Sequence, residues 1–331
     1  MNKLEKGHKL FVNKKLNTSG YGFGGEVIYN IKDGHIPFLS LKEWDFYQIT
    51  NKRFSIYAII GHVSYATSLN ITLFDFETKK NYYIGKLTPF KKVKMDNNAN
   101  EDSYVSYKSK KYSISIQRVG KERFIKMEAI DKIYGKCSVD IKLSKTLDDS
   151  VLVLLPFDKK NQFYLDQKEC LLKASGYVNI GDIKYELDDD SFGLLDWARG
   201  VLPFKHEWVW GVGSGIVDGK PFGFNIGSFA NTKEATENIF FYDGKTYKMN
   251  YVDIDFDKND YFRKWTYKSD DGSFVFEMVP FYDNFTKTKV LWVDNSCHQM
   301  FGHFNGYIIV DGKKIEIKDF LAFTENAHNR W

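Results

Sequence analysis

The 331-residue chain is poor in cysteine, proline and arginine, and it has no long apolar run. Its three cysteines, Cys137, Cys170 and Cys297, are far apart and odd in number, which excludes a disulfide framework and any CxxC zinc knuckle. Cys297-His298 is a lone adjacency. Seven histidines show no HxH or HxxxH spacing, so no metal site and no cofactor is expected. Only six of the 47 basic residues are arginine, and the lysines are interspersed with 43 acids. That pattern reads as a solvated surface and excludes a nucleic-acid partner. No stretch approaches the 18 apolar residues of a transmembrane helix. Met1 to Leu16 lacks a signal-peptide core, so a cytoplasmic setting is expected.

What the chain does have is rings: 28 Phe, 21 Tyr and 7 Trp, 17% of all residues. Aromatics favour strands and bury large areas. Apolar residues alternate with polar ones at Tyr112–Ile116, Val139–Leu143, Val252–Phe256 and Ile315–Ile317, the period of half-buried antiparallel strands. Phe54–Tyr65 and Phe274–Phe281 are apolar on both faces and predict strands covered on both sides. Asp33-Gly34, Asp218-Gly219, Asp243-Gly244, Asp271-Gly272 and Asp311-Gly312 read as tight turns, and Gly181-Asp182 as a further hairpin. A short helix is expected near Phe192–Arg199. The texture changes after Asp190, which divides the chain into residues 1–190 and 191–331.

Chemistry concentrates after that point. Asp196-Trp197-Ala198-Arg199-Gly200 is followed by His206, Trp208 and Trp210, then by the glycine-rich Gly211–Gly215, which lacks a phosphate-loop lysine. A buried carboxyl beside rings becomes a proton donor near neutral pH, whereas pairing with Arg199 would make Asp196 structural. Asn225, Glu237 and Asn238 precede the Phe241–Gly244 turn. The chain closes on Glu325, His328, Arg330 and Trp331, a tail expected to dock into the fold. Asp196, Arg199 and His206 are the candidate catalytic groups. Trp197, Trp208, Trp210, Asn225, Glu237, Asn238, Glu325, His328 and Arg330 are the candidate ligand-binding groups.

The segments Asp196–Gly200, Trp208–Gly211, Asn238 with Phe241–Lys245, and His328–Trp331 together resemble domain of unknown function family 2804. Ser175–Gly181 with Tyr185, Asp196-Trp197 and Trp208-Val209-Trp210 are more distantly similar to carotenoid 1,2-hydratase and AttH-like proteins. That resemblance implies two lipocalin-like domains and hydration or cyclisation of isoprenoids. It places Asp196 at the motif aspartate, a proton donor, but Trp197 stands where that group has histidine.

The expected fold is all-β: two lipocalin-like (calycin-like) antiparallel barrel or half-barrel domains packed together. The second carries the DWxRG, WxWG and NRW segments. Three functions remain open: a binding protein for a hydrophobic small molecule, lipid or isoprenoid-like, held in a barrel cavity; a cofactor-independent hydratase, isomerase or cyclase using Asp196; and a carbohydrate-active protein with two carboxylates.

Overall fold

The structure is a computed structural model. It describes every residue except 26, 38, 64, 91, 229–231, 233, 291, 292 and 331, so Trp331 lies outside the described residues. Among the described residues there are two large sheets, one of thirteen strands and one of nine, and the one helical element is a 3-10 turn at Ile31–Gly34.

In the first sheet the ladder runs Ser103–Lys108, Tyr112–Val119, Glu122–Asp131, Gly135–Lys145, Phe163–Ile180, Phe192–Val201, Lys42–Thr50, Phe54–Val63, Ala66–Asp75, Lys80–Pro89, each antiparallel to the next. The sheet curls until its two end strands meet through side chains. Lys86 Nζ donates to Tyr107 Oη at 2.9 Å, and Tyr112 Oη donates to the Leu69 carbonyl at 3.1 Å. The second sheet runs Lys245–Lys248, Ile239–Tyr242, Lys220–Gly227, Lys205–Val217, Lys313–Arg330, Val293–Val310, Phe274–Val290, Trp265–Ser269, Val252–Asp255. Both are antiparallel half-barrels, built from the antiparallel strands that the residue alternation foretold.

The turns follow backbone chemistry. Asp218-Gly219, Asp243-Gly244 and Asp311-Gly312 all take positive φ at both residues, the mirror-image turn that matches strand twist. Gly181 has φ 58° in the hairpin that pairs Ile180 with Ile183. Asp33-Gly34 departs from expectation and closes the 3-10 turn. Phe274–Phe281 is also one-sided: Phe274, Phe276 and Met278 are buried while Glu277 and Val279 face out.

Two further corrections concern Phe192–Val201. It is a strand, not a helix, and it belongs to the first sheet, paired with Lys42–Thr50 and Phe163–Ile180. A fully buried strand shows no period-2 polarity, so a short apolar run is ambiguous between helix and strand. Its faces serve two compartments. Leu195, Trp197 and Val201 enter the first barrel's core, and Leu194 and Ala198 enter the core between the sheets. The sheet change therefore falls between Val201 and Lys205, and Asp196–Gly200 sits in the first half-barrel rather than the second.

Three cores result. The first barrel is filled mainly by Ile, Leu and Val, the second by rings such as Phe222, Phe224, Trp265, Tyr267, Phe274, Phe276, Phe304 and Phe320. The third fills the interface between the sheets with Phe74, Phe76, Trp210, Phe301 and Phe323 among others.

Two expected site residues, Arg199 and Trp197, are consumed by the first barrel. Arg199, fully buried, lies with its guanidinium 4.0 Å from the Trp197 ring centroid. It donates to Asp45 Oδ1 at 3.0 Å, Asp96 Oδ1 at 2.9 Å and the Trp44 carbonyl at 2.8 Å. Trp197 Nε1 donates to Asp96 Oδ1 at 2.6 Å. Burial still lifts Asp45 to about 6 against that pairing. Arg199 and Trp197 therefore knit the barrel and do not reach Asp196, three and one strand positions away on the opposite face. Removing one member of such a cluster strands the others. Arg199→Leu is expected to lose about 3–5 kcal/mol in urea unfolding. Arg330→Leu, at a partly exposed ion pair with Asp294, should stay within about 0.5 kcal/mol.

Candidate functional site

The outward faces of four central strands of the first sheet meet the second sheet. Trp44, Phe46, Tyr57, Tyr164, Lys168 and Asp196 come from the first; Trp208, Trp210, Glu237, Cys297, Gln299 and Glu325 come from the second half of the chain. Between them is a cavity of about 320 Å³. It lies between the sheets, so the expectation of a cavity inside a barrel is corrected: both barrel interiors are occupied by packed side chains. A larger groove of about 790 Å³ opens on the same interface beyond Gln48, with Lys52, Asp190, Asp218, Lys318 and Asp319 on its walls. Val212–Gly215 of the glycine-rich segment line it, but none of the candidate catalytic or ligand-binding residues does.

Lys168 is the centre of the cavity's polar side. It stands directly across the ladder from Asp196. Its Nζ is 3.1 Å from Asp166, 3.4 Å from Glu237 and 3.5 Å from Asp196, and 4.2 Å from the Trp210 ring centroid. Trp44 Nε1 donates to the other Asp196 oxygen at 3.4 Å. All of these charged groups are buried. Burial alone would lower the ammonium's pKa, but the three carboxylates together raise it well above the ordinary lysine value. Burial raises Asp166 well above the ordinary carboxylate range, with Lys168 opposing and Asp196 adding to the rise.

Glu325 occupies another wall. Trp208 Nε1 donates to its Oε1 at 2.7 Å, Gln299 Nε2 to its Oε2 at 3.4 Å, and the Cys297 thiol lies 3.7 Å from Oε2. Burial raises this carboxyl to about 7; the Trp208 hydrogen bond and Lys168 work against the rise and Asp196 with it. Burial and Glu325 also push the Cys297 thiol well up, so it is a neutral wall group. Gln299 Nε2 further reaches Gln48 Oε1 at 3.4 Å, a thin partition between cavity and groove.

The structure thus brings together Asp196, Trp208, Trp210, Glu237 and Glu325. Asn225 stands behind them: Trp210 Nε1 donates to it at 2.6 Å and it donates to Glu237 Oε2 at 3.2 Å. Asn238 is a structural clamp, accepting from the Gly227 amide at 2.8 Å and donating to the Asn250 carbonyl at 3.1 Å. His206 stacks on Trp208 at 5.6 Å with Nδ1 2.9 Å from the Pro203 carbonyl; burial lowers its pKa, and it is not a wall of the cavity. His328 and Arg330 lie at the exposed end of their strand, beside Glu207 and Asp294. His298, next to Cys297, points the other way, to Asp283.

Sequence reasoning missed Lys168, Asp166, Tyr164 and Trp44. The available signal is the run Asp166-Gln167-Lys168-Glu169 between the apolar Phe163-Tyr164-Leu165 and Cys170-Leu171-Leu172, which surface logic reads as solvated. No group of three His, Cys, Asp or Glu among the described residues is arranged to hold a metal ion.

By family, the chain belongs to the one described as Domain of unknown function (DUF2804), whose pattern matches residues 6–331. No curated protein matches it by sequence. Similar solved structures include kievitone hydratase from Nectria haematococca, with a TM-score of 0.49 and 12% identity over 88% of each chain. An AttH-like protein from Nitrosomonas europaea has a TM-score of 0.42 and 9% identity over 88% of this chain and 92% of that one.

The raised Glu325 pKa has a stability consequence with a definite sign. From the ordinary 4.5 up to about 7 the folded chain binds more protons than the unfolded one. The contribution is therefore lost as pH rises through that window, by about 3 kcal/mol in full. Unfolding free energies from pH 4.5 to 8 should fall with this slope in the native chain and lose it in Glu325→Gln. An identical slope in both would assign the carboxyl an ordinary pKa.

Proposed function

We propose that the cavity between the sheets binds a small, largely apolar molecule with one polar end, and carries out cofactor-independent proton transfer on it. The observation that carries this reading is the imbalance of buried charge. Asp166, Asp196 and Glu237 surround one ammonium, Lys168, Glu325 stands on another wall, and all but Asp166 line a cavity walled by indoles. Lys248, near Glu237, adds little, because burial lowers its pKa to about 7. Apolar walls and one polar anchor suffice for a carrier. A surplus of buried carboxyls costs stability, and such clusters occur where protons are moved.

The roles divide by environment. Glu325, near half-protonated at neutral pH, is the proton donor. Asp196, held between Lys168 and Trp44 Nε1, orients the polar end, a change from its expected role as donor. The faces of Trp44 and Trp208 favour positive charge developing on the substrate carbon skeleton. Addition or removal of water at a double bond, or migration of that bond, fits this equipment, with lipid or isoprenoid-like molecules as the substrate class. Cleavage of sugars asks for two carboxylates facing each other across a substrate, and Asp196 and Glu237 instead converge on one ammonium.

Geraniol, a short isoprenoid alcohol, tests this in deuterated water. One molecule per chain should be seen by native mass spectrometry, with deuterium entering carbon positions. Glu325→Gln should keep the adduct and lose the exchange by about a hundredfold or more. Leu202→Trp, at the cavity wall, should lose the adduct. Binding without exchange in the native chain would make this a carrier; no adduct at all would remove the cavity from consideration.

A further inference from the structure

The cavity and the larger groove beyond Gln48 are built on the same strands. Along Lys42–Thr50, Trp44 and Phe46 line the cavity, and Gln48 and Thr50 line the groove. Across the interface, Lys205–Val217 gives Trp208 and Trp210 to the cavity and then Val212 and Ser214 to the groove. Lys313–Arg330 gives Glu325 to the cavity and then Phe323 and Leu321 to the groove. Phe192–Val201 and Val293–Val310 likewise contribute to both. Alternate residues of a strand share a face, so both spaces lie along one surface of the interface. From Trp44 to Thr50 that surface runs roughly 20 Å. We propose that the groove is the far half of the same binding site and holds the tail of a chain-like apolar molecule whose polar end lies at Lys168; this rests on the binding reading above.

A single layer separates the two spaces. Rings form most of it, with centroids 6.1 Å apart for Phe46 and Trp210, 5.2 Å for Trp210 and Phe323, and 5.7 Å for Phe323 and Phe301. The remainder is a pair of amides, Gln299 Nε2 donating to Gln48 Oε1 at 3.4 Å. Gln48 is anchored, since its Nε2 donates to Ser55 Oγ at 2.9 Å. Gln299 is loosely held. Its bonds to Gln48, to Glu325 and from Asn284 are all 3.4 Å, beyond the ordinary range for such bonds. An aliphatic pair would close this layer with no polar group to satisfy. The amide seam is where a chain passes from one space to the other.

The groove suits a tail. Its floor carries Phe192, Leu194, Val212, Leu321 and Phe323. Its carboxylates and ammonium groups, by contrast, belong to exposed residues at the rim, where Lys52 pairs with Asp190 at 3.2 Å and His303 with Asp319 at 2.9 Å. An apolar floor under a charged rim takes up hydrocarbon and leaves the mouth wetted. The groove measures about 790 Å³ against about 320 Å³ for the cavity. The longer part of the molecule therefore lies beyond the indole walls, and the cavity holds the polar end and the reacting carbons.

Chain length reads this directly. Geraniol and geranylgeraniol share a polar end, and the second has twice the chain. Calorimetric titration of the native chain should give geranylgeraniol a dissociation constant about a hundredfold or more below that of geraniol, from the added buried methylenes. Leu321→Trp, on the groove floor, should bring geranylgeraniol back to the affinity of geraniol and leave geraniol unchanged. Ile216→Trp, at the exposed mouth, should give the same selective loss, and it reads the groove should Leu321→Trp not fold. If geranylgeraniol binds the native chain no tighter than geraniol, or keeps its advantage in both variants, the inference is overturned and the cavity reading stands. If neither alcohol binds, both fail.

Discussion

One ammonium against several carboxylates, all out of water, is the constraint around which the interface is organised. Lys168 is placed opposite Asp196 by the register of two strands. The segment before Ile239–Tyr242 then delivers Glu237 to the same nitrogen, and the second sheet brings the Trp210 ring over it. Bringing these groups out of solvent costs several kcal/mol per charge unless they pair or bind protons. Asp166 and Glu325 meet that cost by rising well above their ordinary pKa values. The two half-barrels therefore meet on a proton-holding surface, in a place where an apolar contact would have been more stabilising.

The same strands also serve the opposite face. Asp196 and Arg199 are close in sequence, yet one faces the interface and the other the barrel interior, where Asp45, Asp96 and Glu43 receive it. This explains why the strand reads as uniformly buried. Glu43, 3.9 Å from that arginine, meets His62 in the same interior.

Much of the fold was legible because period-2 alternation and Asp-Gly turns are local. Tyr112–Val119, Gly135–Lys145 and the Asp311-Gly312 hairpin required nothing beyond their own residues. Phe192–Val201 was not, since both its faces are buried and its polarity pattern vanishes. The indoles show the same limit. Trp208 and Trp210 were singled out and do face the cavity; Trp197, one residue from Asp196, faces the barrel core. Lys168 was out of reach because its meaning depends on register between strands distant in sequence. The aromatic excess divides accordingly: rings fill the second barrel, and a smaller set joins the buried charges at the interface.

The central claim is that protons are held at the interface at neutral pH, and infrared spectroscopy of the carboxyl groups reads this directly. The native chain at pH 7 should show the band of a protonated carboxylic acid, and the Asp166→Asn, Glu325→Gln double variant should lack it. A native spectrum containing ionised carboxylates alone at pH 7 would contradict the account.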